Sequence, residues 1–136
     1  MFLLSVELRE EESTLHDYPI YEISAISESL GYRVEERHLG VKQGPDLIIR
    51  NPATGVGVIV ESEVGHNITS RSYEKFEREA RRLTEKNLKA IVVITETPRR
   101  VWRRTSQHIH PRENFFVVAG SVFKDVMPAL LAKLLG

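Results

Sequence analysis

The sequence has 136 residues, 41% of them hydrophobic, with 19 basic and 19 acidic side chains and no cysteine. This length suits one domain over residues 1–136, and the hydrophobic share is too high for a disordered chain. The lack of cysteine excludes disulfides, thiolate metal sites and a cysteine nucleophile. No apolar run approaches a membrane span, and residues 1–4 are too short for a signal-peptide core, so we expect a cytoplasmic protein.

The first predicted elements are short. Residues 2–8 fit either a strand or a leading turn. Apolar residues then recur at helical spacing over residues 17–30, where Asp17 is a suitable N-cap and Gly31 a suitable stop. A weakly alternating strand is predicted over Tyr32–His38.

A β-hairpin is predicted next, followed by alternating helices and strands. Segment 45–50 and strand 56–64 flank the turn Asn-Pro-Ala-Thr-Gly, which is typical of a hairpin. The order of elements predicts an α/β fold with a central mixed sheet and helices on both faces. The later predicted elements are a helix at 72–87, a strand at 89–95, a helix at 98–108, a strand at 114–119 and an apolar helix at 122–135.

Acidic side chains occur at the end of the hairpin. Asp46 follows Pro45, and Glu61 and Glu63 follow the apolar run Val56–Val60. Because strand side chains alternate faces, the two glutamates share a face. Acids this close repel one another, and a dry neighbourhood disfavours their ionisation, so either one is protonated or a cation binds. Carboxylates are ligands of Mg²⁺ and Mn²⁺, and the pattern favours such a metal over a purely structural role.

The register of the hairpin decides whether these acids meet. With a four-residue loop over 52–55, Asn51 pairs with Val56 and Asp46 stands opposite Glu61. A five-residue loop would turn Asp46 to the other face.

This pattern resembles the motif of the PD-(D/E)xK nuclease superfamily, which includes restriction endonucleases and archaeal Holliday junction resolvases. The core of that fold runs helix, three-stranded meander, helix, strand, which matches residues 17–96 here. Pro45-Asp46 matches the first motif element and Glu61-Ser62-Glu63 the second. The resemblance implies a restriction-endonuclease-like mixed sheet with helices on both faces.

The resemblance also implies a ligand set for Mg²⁺ or Mn²⁺. Asp46 and Glu61 would bind the metal, with the backbone carbonyl of Ser62. Several superfamily members add a glutamate from the first helix, for which Glu22 is the first candidate and Glu28 the second.

The chain departs from the family at the motif lysine, where it has Glu63. This residue would act as a general base or as a further metal ligand. In other relatives a lysine from the following helix takes the vacant role, and Lys75 fits that position, with Arg71 as another option. The loss of the lysine is also compatible with a domain that binds nucleic acid and no longer cuts it.

Basic residues are concentrated late in the chain. Residues 97–112 contain five arginines and no acid, whereas residues 1–31 contain seven acids and one base. Arginines without nearby acids can pair with phosphates, and Trp102 could stack on a base or anchor the core. The helix at 72–87 has a second basic stripe that alternates with acids, and this stripe also fits a solvated salt-bridged face. The candidate nucleic-acid contacts are Arg71, Arg78, Arg99, Arg100, Trp102, Arg103 and Arg104.

Together these features predict a metal-dependent endonuclease acting on DNA that is either structure-selective or weakly specific, such as a junction-resolving or repair nuclease. The catalytic residues would be Asp46, Glu61, Glu63 and Lys75. The apolar helix at 122–135 either completes the core or forms a homodimer interface, and superfamily enzymes that cut two strands favour the dimer. The rival hypotheses are an inactive nuclease-fold domain that binds nucleic acid, and an unrelated α/β protein whose acids bind a structural cation or a basic partner.

Overall fold

The computed structural model describes residues 17–37, 45–63, 70–81, 83, 87–105 and 114–136. The predicted element at 2–8 lies outside these residues, as do the predicted ends of several others. The elements are α1 (residues 17–29), β1 (Arg33–Arg37), β2 (Leu47–Arg50), β3 (Gly57–Glu63), α2 (Ser70–Arg81), β4 (Leu88–Thr95), α3 (Pro98–Thr105), β5 (Phe115–Ala119) and α4 (Phe123–Leu135).

The strands form one mixed sheet in the order β1-β2-β3-β4-β5. The first three strands are antiparallel neighbours, whereas β3, β4 and β5 run parallel. The predicted α/β class with a mixed sheet is confirmed, and so is the order helix, three-stranded meander, helix, strand. Since β2 runs against β3, the start of β2 lies at the same edge of the sheet as the carboxyl ends of the parallel strands.

The hairpin has the four-residue loop. The Asn51 amide donates to the Val56 carbonyl at 2.9 Å, and Gly55 closes the turn with φ of 77°. Leu47 pairs with Val60, so the next position along each strand sets Asp46 opposite Glu61, as the shorter loop requires. This register is the one that brings the hairpin acids to one face.

Helix α1 ends as its sequence predicts. Gly31 adopts φ of 86°, a conformation that suits glycine because it has no Cβ. Within the helix, Ser24 and Ser27 are buried, and each hydroxyl donates to the carbonyl four residues earlier at 2.7 Å. The buried hydroxyls are therefore satisfied without leaving the helix.

Two hydrophobic cores lie on the two faces of the sheet. One face packs against α1 and α4, through residues that include Ile20, Val60 and Met127. The other packs against α2 and α3, through residues that include Ile59 and Phe76. Alternation along β3 sends Val60 to the first face and Glu61 to the second. The helices predicted on both faces are confirmed.

Helix α4 completes the core. Its buried residues are Phe123, Met127, Leu131, Leu134 and Leu135, and the Asn51 side-chain amide donates to the Leu135 carbonyl at 2.9 Å. Core packing accounts for the apolar composition that suggested an interface, and nothing in the structure supports the predicted homodimer. None of the helices in the described ranges is long and apolar enough to cross a membrane.

The role of α4 in the core predicts a contrast between two adjacent residues. Met127 is fully buried, whereas Val126 is 38% exposed. Met127→Ala should lower the free energy of unfolding by about 2–5 kcal/mol, because it removes buried contacts and leaves a cavity. Val126→Ala should change it by about 0.5 kcal/mol or less. Urea unfolding followed by circular dichroism measures both values, and equal effects would contradict the packing of α4 against the sheet.

Candidate functional site

The side chain of Asp46 links the two strands of the hairpin by a hydrogen bond at the sheet edge. It lies just before β2 and is 5% exposed. Its Oδ2 accepts a hydrogen bond from the backbone amide of Ser62 at 2.9 Å. This bond fixes the carboxylate beside β3, where the sequence predicts it.

Glu61 is the most deeply buried acid of the site. Its side chain is 0% exposed, and Oε2 accepts a hydrogen bond from the Lys75 ammonium at 2.9 Å. Its other oxygen, Oε1, is buried without a hydrogen-bond partner among the described residues. Burial raises the pKa of Glu61 well above its ordinary value, the carboxyls of Glu79 and Asp46 raise it further, and Lys75 opposes them. Such a carboxyl is stabilised by a proton or by additional positive charge.

Lys75 extends from α2 to the end of β3. Burial alone would lower the pKa of Lys75, but the neighbouring carboxylates, Glu61 foremost, raise it above its ordinary value. The side chain therefore stays an ammonium at neutral pH and cannot act as a base. The resemblance put Lys75 forward as a replacement for the missing motif lysine, and the structure places its ammonium against Glu61.

Glu79 is a site residue that the sequence analysis missed. The alternation of acids and bases on α2 suggested a solvated face, yet Glu79 is 7% exposed and both its carboxylate oxygens lack hydrogen-bond partners within the described chain. Burial raises its pKa, while the neighbouring side chains of Glu61 and Lys75 oppose that shift. One signal was available in the sequence, because residues four apart on a helix share a face and Glu79 follows Lys75 by four.

Glu63 lies two residues beyond Glu61, at the less buried end of β3, and pairs in register with Thr95 on β4. Alternation puts it on the same face as Glu61. Across the described ranges, no group of three or more histidine, aspartate or glutamate residues is arranged to hold a metal ion. The role of Glu63, as a general base or as a further metal ligand, therefore stays a prediction. What the structure assembles is the pair Asp46 and Glu61, with the buried backbone of Ser62 between them.

The predicted ligand from the first helix, Glu22, belongs to a helix that packs on the other face of the sheet. Glu22 lies on α1, and its carboxylate is 3.9 Å from the Lys124 ammonium of α4. Both helices pack on the face of the sheet opposite to α2. The side chain of Glu61 points towards α2, so the sheet separates it from Glu22. The second candidate, Glu28, is an exposed residue of the same helix.

Helix α3 carries an arginine-rich surface beside the site. Because Glu63 pairs with Thr95 and α3 begins at Pro98, the helix starts just beyond the sheet edge that holds the carboxylates. Arg99 and Arg100 are exposed in its first turn. Arg103 and Arg104 are exposed in its last turn, and Arg71 and Arg78 are exposed on neighbouring α2.

Two aromatic contacts hold α3 in place. Trp102 is 42% exposed and stacks on Phe115, with ring centroids 6.3 Å apart and planes at 25°. The Arg104 guanidinium lies 4.8 Å from the centroid of the Tyr73 ring on α2. Trp102 therefore combines a packing contact with a solvent-facing surface.

Comparisons with known proteins identify no family. No protein-family model matches the chain, and no curated protein matches it. Among solved structures, the restriction endonuclease FokI bound to DNA is similar at 16% identity and a TM-score of 0.49, over 96% of this chain and 27% of that one. A second structure of restriction endonuclease FokI gives 15% identity and a TM-score of 0.47, over 96% and 28%. This chain therefore corresponds to roughly a quarter of the length of either FokI chain.

The burial of Glu61 predicts a pH-dependent stability. Because its pKa in the folded protein lies above the ordinary value of 4.5, the stability that this carboxyl contributes is full below that value and is lost as the pH rises through the folded pKa. Glu61→Gln cannot titrate at this position, so its stability relative to the wild type should increase as the pH rises above 4.5.

Urea unfolding in the presence of EDTA measures this difference. Glu74→Gln, an exposed position on α2, is the matched control and should follow the wild type at each pH. If the difference in unfolding free energy between the wild type and Glu61→Gln stays constant with pH, the shifted pKa of Glu61 is contradicted.

Proposed function

We propose that this protein is a divalent-metal-dependent endonuclease that hydrolyses phosphodiester bonds in DNA. The observation that carries the proposal is the buried group formed by Asp46, Glu61 and Lys75 at one edge of the sheet. The motif resemblance to PD-(D/E)xK nucleases, on Pro45-Asp46 and Glu61-Ser62-Glu63, supports the reaction class. The site residues, rather than the likeness to other structures, support this assignment.

The donor chemistry fits Mg²⁺ or Mn²⁺. Asp46 and Glu61 provide carboxylate oxygens, and Glu61 Oε1 is a buried acceptor without a hydrogen-bond partner in the described chain. With the Ser62 carbonyl, these groups form a small all-oxygen set, and Mg²⁺ commonly takes only one or two carboxylates while retaining waters. When bound, the metal would neutralise charge on the scissile phosphate and make its water more acidic.

The chain's own side chains then have separate roles. Lys75 keeps its ammonium because Glu61 holds it, so it supplies a fixed positive charge that favours the developing charge on a phosphate. In this proposal it replaces the lysine that the motif lacks at Glu63. Glu63, at the less buried end of β3, accepts the proton of the attacking water or ligates the cation.

The arginines of α3 provide the contact to nucleic acid. Arg99 and Arg100 project from the helix turn next to the carboxylates, and guanidinium groups pair well with phosphates. Arg71 and Arg78 extend the basic surface along α2. This placement would bring a phosphate backbone to the sheet edge where the acids lie.

The cleavage test compares variants that keep the shape of the site. Glu61→Gln and Asp46→Asn should each lower the rate of plasmid nicking in Mg²⁺ or Mn²⁺ by about 100-fold or more, because each removes an anionic ligand. Asp125→Asn, an exposed residue on α4, should leave the rate unchanged. Wild-type activity in Glu61→Gln, with folding confirmed by circular dichroism, would exclude the mechanism.

The same cleavage and binding assays test both the choice of substrate and the rival function. Plasmid, four-way junctions, flaps and single strands, tested side by side, determine whether the enzyme selects DNA structure. If the wild type binds DNA in Ca²⁺ yet cuts none of these substrates in any metal, the inactive nucleic-acid-binding domain is the correct function.

The arginine surface predicts a salt-dependent binding defect. A double variant, Arg99→Gln with Arg100→Gln, should weaken DNA binding in Ca²⁺ and reduce the slope of log affinity against log salt by about one for each phosphate that is no longer neutralised. Gel shifts at several salt concentrations measure the slope. Lys124→Gln with Lys133→Gln removes the same charge from exposed positions of α4, and should bind like the wild type. Equal slopes in all proteins would exclude this surface.

A further inference from the structure

Helix α2 directs two charged side chains inward at the same place. Lys75 and Glu79 are four residues apart and share a face of the helix. Lys75 contacts Glu61 at 2.9 Å, and Glu79 lies close enough to Glu61 to raise the pKa of that carboxyl. Glu79 therefore belongs to the same cluster as the proposed metal ligands.

The environment of Glu79 differs from that of the other acids on α2. Glu74 is exposed, and Glu77 forms an ion pair with Arg81. Glu79 is 7% exposed, and neither of its oxygens has a hydrogen-bond partner within the described residues. Burying a carboxylate without such a partner is costly, so solvation of the helix surface does not explain this residue.

Among the described residues, the fully or nearly fully buried acids of the cluster are Asp46, Glu61 and Glu79, and Lys75 is the ammonium that contacts Glu61. The buried oxygens of Glu61 and Glu79 belong to neighbouring carboxyls, where a divalent cation would interact with both.

The arrangement favours a water-mediated contact between Glu79 and the cation. These acids do not form a three-residue direct ligand set in the described chain, and Mg²⁺ gives up its waters reluctantly. We propose that Glu79 is a positioning residue that accepts hydrogen bonds from the water shell of the divalent cation held by Asp46 and Glu61. This inference rests on the proposed function, and it makes α2 a part of the cation site.

A purely structural role makes a different prediction. If Glu79 only shares a proton with Glu61, then Glu79→Gln, whose amide can donate to Glu61, should keep both the fold and the affinity for cations. If Glu79 holds a hydrated cation, the same variant should bind Mn²⁺ about 10-fold more weakly, as removal of outer ligands commonly does. Glu79→Asp keeps the charge on a shorter side chain. Its affinity for Mn²⁺ should therefore lie between that of the wild type and that of Glu79→Gln.

The experiment is calorimetric titration of the full chain with Mn²⁺, in the absence of DNA, on wild type, Glu79→Gln, Glu79→Asp and the control Glu74→Gln. The expected order of affinity is wild type equal to Glu74→Gln, then Glu79→Asp, then Glu79→Gln. Circular dichroism identifies the folded variants, and wild-type affinity in either folded Glu79 variant overturns the inference. If the wild type itself binds no Mn²⁺, the proposed function fails and the inference fails with it; if only the Glu79 variants bind normally, the proposed function stands.

Discussion

The ion pair between Lys75 and Glu61 is the interaction on which the candidate site depends. Glu61 is completely buried, at the end of a strand whose preceding residues are apolar, and a lone carboxylate there would be neutralised by a proton. The ammonium of Lys75 provides a compensating charge at Oε2, and no described residue bonds to Oε1. This contact also ties α2 to β3, so the helix and the acid strand form one unit.

The topology of the sheet explains why the site lies at an edge. The antiparallel hairpin returns Asp46 to the end of β3, and the parallel strands β4 and β5 finish at the same edge. The loop before α3 is therefore short, and α3 starts beside the carboxylates with its arginines exposed. The carboxylates that we propose as cation ligands and the arginines that we propose as phosphate contacts share one edge because the strand directions bring their chain segments together.

The two faces of the sheet differ in their side chains: one contains an apolar core, and the other also contains the residues of the candidate site. The face covered by α1 and α4 is packed with aliphatic side chains and contains the fully buried Met127. The face covered by α2 and α3 combines a second core with the buried charges. Glu22 belongs to the first face, and for this reason it is separated from the site although its helix was a reasonable source of a ligand.

The sequence by itself determined the α/β class and the hairpin, because turn residues and strand alternation are local properties. The register that sets Asp46 opposite Glu61 was one of two that the sequence allowed, and the hydrogen bond between Asn51 and Val56 decided between them. The sequence also indicated Lys75 as a residue that can replace the missing motif lysine. Only the tertiary structure decided that Glu79 is buried, that the helix of Glu22 packs on the other face of the sheet, and that α4 belongs to the core. Those outcomes depend on how helices rotate against a sheet, and the helical pattern of α2 alone did not distinguish a charged side chain facing water from one facing Glu61.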